Sequence, residues 1–247
     1  MIPLALLAAA LTLVELPGSD LARFDACLAL IKKDPAAAIL QAEAWAKRSA
    51  NVPSRHCLGL AFVADERWAP AALTFEQAAQ DAETAGDGRA ALLWSQAANA
   101  ALAADDPTKA RASLDRALAI PALPSGMAGE AWLDRGRADV ALNDPAQGRI
   151  DIDKALAIVP QDPFAWLLSA TLARRQNDLT RAATDIAKAV AKAPQDPSVA
   201  LEEGNIAAAA GQTDAAKRAW TRAAQLAPGE PEGKAASAAL TQLQTPQ

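Results

Sequence analysis

The chain has 247 residues, 51% of them hydrophobic but only 4% aromatic, with no Tyr. Alanine makes up the difference. It favours close helix–helix packing but gives little bulk for a sheet-type core, and strand-length β-branched runs between turn signals are missing, so the reading is all-helical. Acidic residues outnumber basic ones, 29 to 24, for a net charge of −5, and the charges are interspersed; without a basic stripe to neutralise phosphates, nucleic-acid binding is not expected.

At the N-terminus, residues 2–14 are apolar apart from Thr12. That is the length of the apolar part of a signal peptide and too short for a membrane span. The segment carries no leading Lys or Arg, and no clean A-x-A site precedes the polar turn at residues 17–20. For residues 1–18 the expectation is a signal peptide, with export to the periplasm or envelope. The alternatives are an uncleaved anchor, the one route to membrane contact, and a first segment packed on the rest of a cytoplasmic protein.

Beyond this segment the organising signal is recurrence. The tetrapeptide PQDP at residues 160–163 returns 34 residues later at 194–197, and Pro228 continues the spacing. A fixed period of this size marks stacked supersecondary units. In chain order, a unit at 19–51 keeps Ala26, Pro35 and Ala38 but has Trp45 where a small residue belongs. The next, at 52–85, carries Leu58, Gly59, Phe62, Trp68, Ala71, Phe75 and Ala78. A third, at 91–124, carries Trp94, Ala98, Ala110, Leu114 and Ala117. The units at 129–162, 163–196 and 197–230 share the series Gly136, Ala170 and Gly204, the series Gly148, Ala182 and Ala216, and the series Ala155, Ala189 and Ala223. Larger residues, Ile152, Ile186 and Trp220, recur just before the last series, and Trp132 and Trp166 also sit 34 residues apart. Each unit reads as two helical stretches around a turn, marked by Asn143 with Asp144, by Asn177 with Asp178, and by Gly211 with Gln212. Asp144, Asp178 and Asp214 are expected to cap the second helices, because a short side-chain oxygen accepts from first-turn amides. Additional residues at 86–90 and 125–128 break the strict period and are candidate hinges. A last helix near 234–243 would cover the end of the array within a terminal segment, 231–247.

Tryptophan near the start of a unit, a small residue four positions on, alanines in the second half and a closing proline, all on a 34-residue period, resemble the tetratricopeptide repeat (TPR) family. The match is best over residues 127–230. The resemblance implies a right-handed superhelical solenoid of antiparallel helix pairs, with five to six repeats and a C-terminal capping helix. Where the family has an aromatic late in the first helix, this chain has Phe62 once but Ala101, Asp139, Ala173 and Ala207 elsewhere, so those units are expected to pack more loosely. The tryptophans are assigned to packing between helices rather than to a ligand ladder, because their recurrence follows the repeat.

The resemblance also implies a concave groove built from first helices. Helical spacing assigns to it Arg23, His56, Ser95, Asn99, Leu133, Arg137, Leu167, Thr171, Arg174, Leu201 and Asn205. Arg and Asn in such a groove can bond a peptide backbone or a carboxylate. The Lys, Asn and Arg set by which some family members grip a C-terminal carboxylate is echoed only by Asn99 and Arg137. The expected function is a non-enzymatic scaffold binding an unidentified protein or peptide, with no cofactor; docking through a convex or terminal surface in an envelope or secretion assembly is the alternative.

No catalytic motif stands against this reading. His56 is the one histidine and adjoins Cys57. Neighbouring residues on a helix point about 100° apart, which suits neither a shared metal ion nor a nucleophilic pair. The carboxylates at Asp105 and Asp106, Asp151 and Asp153, and Glu202 and Glu203 read as solvated helix faces. Cys27 and Cys57 fall on first helices of neighbouring units; pairing is permitted if the chain is exported, and two buried free thiols are the other outcome.

Overall fold

A computed structural model describes residues 19–121 and 123–244. Residues 1–18, on which the signal-peptide reading falls, lie outside the described residues. Among the described residues there are thirteen α-helices and no strands. They are α1 (Asp20–Ile31), α2 (Pro35–Arg48), α3 (Val52–Ala64), α4 (Trp68–Ala85), α5 (Ala90–Ala103), α6 (Pro107–Ala119), α7 (Ser125–Ala141), α8 (Pro145–Ile158), α9 (Pro163–Arg175), α10 (Leu179–Lys192), α11 (Pro197–Ala209), α12 (Thr213–Leu226) and α13 (Pro231–Gln244). Each helix packs on its neighbours in sequence, and α7 on α5, α11 on α9 and α13 on α11 as well. This is a one-dimensional stack of helix pairs, α1/α2 through α11/α12, with α13 over the last pair.

Local chemistry sets the joints. From the second pair onward, the turn within each pair passes through one left-handed residue: Glu66, Asp105, Asn143, Asn177 or Gly211. At each, the following amide reaches back five residues, as Asp144 does to the Asp139 carbonyl and Asp178 to that of Ala173, which closes the helix end in a Schellman-type arrangement. In four of the pairs an aspartate caps the second helix, whereas α4, with Arg67 at its N-cap, has no side-chain bond there. Asp34, Asp106, Asp144 and Asp178 accept from the amide three residues on, ahead of α2, α6, α8 and α10. Asp162 caps α9 through the amide two residues on, and Asp196 caps α11 through the amides two and three residues on. Asp214 does not. It sits inside the first turn of α12, whose N-cap is Gln212 with no side-chain bond. Its position one residue past the helix start lets it favour the N-terminal dipole only by charge.

The period survives as helix starts: α8, α10 and α12 begin 34 residues apart, as do α9 and α11. Residues 125–128 form an added turn at the head of α7, whereas residues 86–89 are a connection that opens with the left-handed Gly86.

Packing follows the small and large series. Within the last three pairs a small residue on the first helix faces a large one sixteen residues later. A β-carbon on Gly136 would stand 2.9 Å from Ile152 Cγ1, and Ala170 and Ile186 share a core cluster. One continuous apolar core runs from α2 to α7, whereas beyond it the core divides into three smaller clusters. At the position of the missing aromatic, Ala207 lines a cavity of about 430 Å³ with Ile186 and Ile206. Trp94 is buried, its indole N–H donating to Glu83 Oε1 at 2.8 Å. Trp132 and Trp166 are half-buried, with Lys154 and Lys188 over their rings at 4.0 and 3.8 Å.

Candidate functional site

The first helices supply one face of the stack, and the sequence-derived groove residues are distributed unevenly on it. Arg137 and Asn99 are exposed; Arg23, Ser95, Thr171, Arg174, Leu201 and Asn205 are half-buried. Leu133 and Leu167 are not open to a ligand. They pack in core clusters that reach the following pair, Leu133 with Ile152 of its own pair and Leu172 of the next, Leu167 with Val199 and Ile206. A side chain at this helical position points into the seam between successive first helices, so the next pair covers it.

His56, at the matching position on α3, is also buried rather than groove-facing. Its ring lies 5.1 Å from Phe24 and 6.0 Å from Phe75, and neither nitrogen has a hydrogen-bond partner. Burial, with the positive charge of Arg89 next, lowers its pKa to about 4. Beside it, Cys57 is joined to Cys27 with Cα atoms 6.2 Å apart, inside the usual disulfide range. The bond ties α1 to α3, and Trp45, the apparent misfit of the first unit, packs against it.

Two of the remaining candidates are brought together by a residue read as solvated. Glu202 is buried. It accepts from Arg174 Nε at 2.6 Å and Nη2 at 3.1 Å, and from Asn205 Nδ2 at 3.1 Å, while Asn205 Oδ1 accepts from the Trp220 indole at 3.0 Å. Arg174 and Asn205 are therefore committed to a link between α9 and α11 and are not free for a partner. Asp151 is likewise fully buried, held by Arg135 Nε at 2.6 Å and Nη2 at 3.0 Å. One pair along, Ser169 Oγ donates to Asp185 at 2.6 Å and accepts from Arg149 at 2.7 Å. These groups form a polar seam through α7 to α10. The sequence signal for it was present: Arg135 and Ser169 stand one residue before the small position, where the family has leucine, and an aspartate follows each sixteen residues later.

The open part of the groove lies between α7 and α9. A cavity of about 270 Å³ is walled by Val140 and Ala141 from α7 and by Leu168, Thr171 and Leu172 from α9, over Ile152 of α8, with Arg137 and Arg175 among its lining. Arg137 donates to Asp134 at 2.8 Å and lies 5.8 Å from the ring of the exposed Phe164. Burial pushes the Asp134 carboxyl upward in pKa, against the pull of Arg137. Of the predicted groove residues, Arg137 and Thr171 line this cavity; the other six lining residues, Arg175 among them, were not in the predicted set.

No protein-family profile matches the chain, and no curated protein does. Solved structures do. PilW, described as a widely conserved type IV pilus biogenesis factor, superposes with a TM-score of 0.73 at 18% identity, over 92% of this chain and 98% of its own. The chain has the tetratricopeptide-repeat fold. PilF of Pseudomonas aeruginosa gives a TM-score of 0.68 at 16% identity, covering 89% and 97% of the two chains. YrrB, a TPR protein with an unusual peptide-binding site, gives 0.55 at 14% identity, covering 80% and 97%. At such identities the likeness concerns the TPR architecture, and the contents of the groove belong to this chain alone.

Proposed function

We propose that the protein is a non-enzymatic protein–protein interaction scaffold that takes an extended peptide or a helix of a partner protein in the groove of its first helices. The observation that carries this reading is the α7–α9 cavity, apolar inside and flanked by two arginines, on the face where successive pairs leave side chains open. Apolar anchoring with a few placed polar groups is how such sites bind. The peptide-binding site of YrrB, in the same fold, supports it by analogy.

The same reading sets the protein in a bacterial envelope compartment. The Cys27–Cys57 bond suits an oxidising environment, residues 1–18 have the composition of an export signal, and PilW is a pilus biogenesis factor. Among the described residues no helix is long and apolar enough to cross a membrane.

Affinity capture from an envelope extract of the host tests the groove. Ala141→Trp should plug the cavity and Arg137→Glu should invert its rim, each removing the same partner while helicity by circular dichroism is kept. Unchanged capture by both variants would sink the groove reading. A second reading, docking through the opposite face, draws on Leu40, Leu73 and Ile150, which lie on the second helices α2, α4 and α8 and are 69%, 49% and 50% exposed. Crosslinks concentrated beside these three residues would favour it.

A further inference from the structure

We infer that the α7–α9 cavity receives one apolar side chain of an acidic peptide segment, with a carboxylate of that segment resting on Arg175. This deepens the groove reading and depends on it. Size comes first. About 270 Å³ falls below the roughly 300–1,000 Å³ of sites that enclose a whole small molecule, so the cavity suits a single anchoring side chain of a longer ligand that runs on along the groove. Val140, Ile152, Leu168 and Leu172 give that side chain an apolar bed, and no acidic residue lines it.

Charge then selects the flank. The cations near this cavity are not equivalent. Arg174 is spent on Glu202, and Arg137 is held by Asp134. Arg175 is exposed at the end of α9, and among the described residues its guanidinium has neither an ion pair nor a hydrogen bond. A guanidinium at the lip of an apolar cavity is weakly hydrated and presents a planar fork that matches a carboxylate. A basic segment would meet two arginines, and a purely apolar one would leave Arg175 against it unpaired. An acidic segment is the complementary partner.

The test uses the full-length protein and short fluorescein-labelled peptides read by anisotropy. One peptide has a central Leu flanked by Glu, a second has Gln for each Glu, and a third has Ala for the Leu. The Glu–Leu peptide should bind, and either change should weaken it about tenfold, the scale of one lost charge-assisted bond or one lost buried side chain. With Arg175→Gln in the protein, the Glu and Gln peptides should bind alike, and Ala141→Trp should abolish binding of the first. Equal affinity of the Glu and Gln peptides for the unaltered protein overturns the inference, as does a Glu-over-Gln preference that survives Arg175→Gln, or binding indifferent to Ala141→Trp. If no Glu-flanked peptide binds while Ala141→Trp still removes a captured host protein, the acidic assignment fails and the groove reading stands. If that capture is also insensitive, both fall.

Discussion

Gly204 of α11 lies beneath the indole of Trp220 of α12, so close that a β-carbon on Gly204 would be 2.3 Å from Trp220 Cδ1 and 2.5 Å from its Nε1. The indole cannot retreat freely, because its N–H is bonded to Asn205, which in turn serves Glu202 and Arg174. One methyl group therefore presses on the link between α9 and α11 as well as on the helix pair.

Gly204→Ala should destabilise the protein. Helix propensity favours alanine by about 1 kcal/mol, but overpacking a rigid ring costs about 1–3 kcal/mol, and the overpacking wins. Gly126 offers the control. It lies in the added first turn of α7, and a β-carbon there meets nothing within 4 Å, so Gly126→Ala should be neutral or stabilising by up to ~1 kcal/mol. Urea unfolding midpoints of the two variants should move in opposite directions.

Breaking the disulfide should cost about 3–4 kcal/mol by the chain-entropy estimate for a loop of this length, since Cys27 and Cys57 are 30 residues apart. Cys27→Ser and Cys57→Ser should lower the melting temperature to the same extent, and a reducing agent should lower that of the unaltered protein but not of either variant. An unaltered protein whose melt ignores the reductant would show that the bond does not hold the first pair.

Acid should weaken the protein through His56 and strengthen it through Asp139. The folded pKa of His56, about 4, lies below the ordinary imidazole value of 6.5. Its neutral form is favoured by folding, so the contribution is complete above pH ~6.5 and is lost as pH falls toward 4. Asp139 is raised to about 6, by burial first, with Arg111 opposing and the Asp151 charge adding to the rise. Its folded form takes up a proton before the unfolded chain does, so stability rises as pH falls from about 6 toward 3.8. The two slopes oppose each other in one window. His56→Leu should leave a protein that gains stability on acidification there, and Asp139→Asn one that loses it more steeply, both measured as urea midpoints across a pH series.

The Arg135–Asp151 pair should show strong coupling. Asp151 has no exposure, so Asp151→Ala leaves Arg135 with one carboxylate, Asp115 at the surface, and the Trp132 ring, and should cost about 3–5 kcal/mol. Replacing Arg135 by Leu as well should recover much of that loss, because it removes the stranded charge and restores the residue type the repeat uses at that position. A double-mutant cycle with additive costs would show that the two groups do not act as a unit.

The architecture was legible from three prolines and a few small residues because stacking demands the same solution at every pair. Gly136 and Gly204 are small because the facing side chains leave no room, and Asn177 and Gly211 recur because one left-handed residue closes each helix. What escaped was the fate of charge. Asp151 and Glu202 read as solvated because carboxylates usually are, and only the folded arrangement supplies the arginine that lets them sink, Arg135 from the facing helix of the same pair and Arg174 from the preceding pair. Surrounding helices likewise buried Leu133, Leu167 and His56 and left Arg175 open, since helical spacing gives direction but not cover. Asp214 shows the limit at a single residue: a shift of two positions turns a cap into an ordinary first-turn acid.

The change from an unbroken apolar core in α2 to α7 to separate clusters divided by ion pairs beyond it has a mechanical meaning. A stacked array yields where the coupling between neighbours is weakest. Pulled from its two ends, this chain should lengthen first at α13 and then by one helix pair at a time, with the disulfide-tied, continuously packed portion giving way last and as a block. The C-terminal pairs would then act as a graded tether and the N-terminal ones as its anchor point.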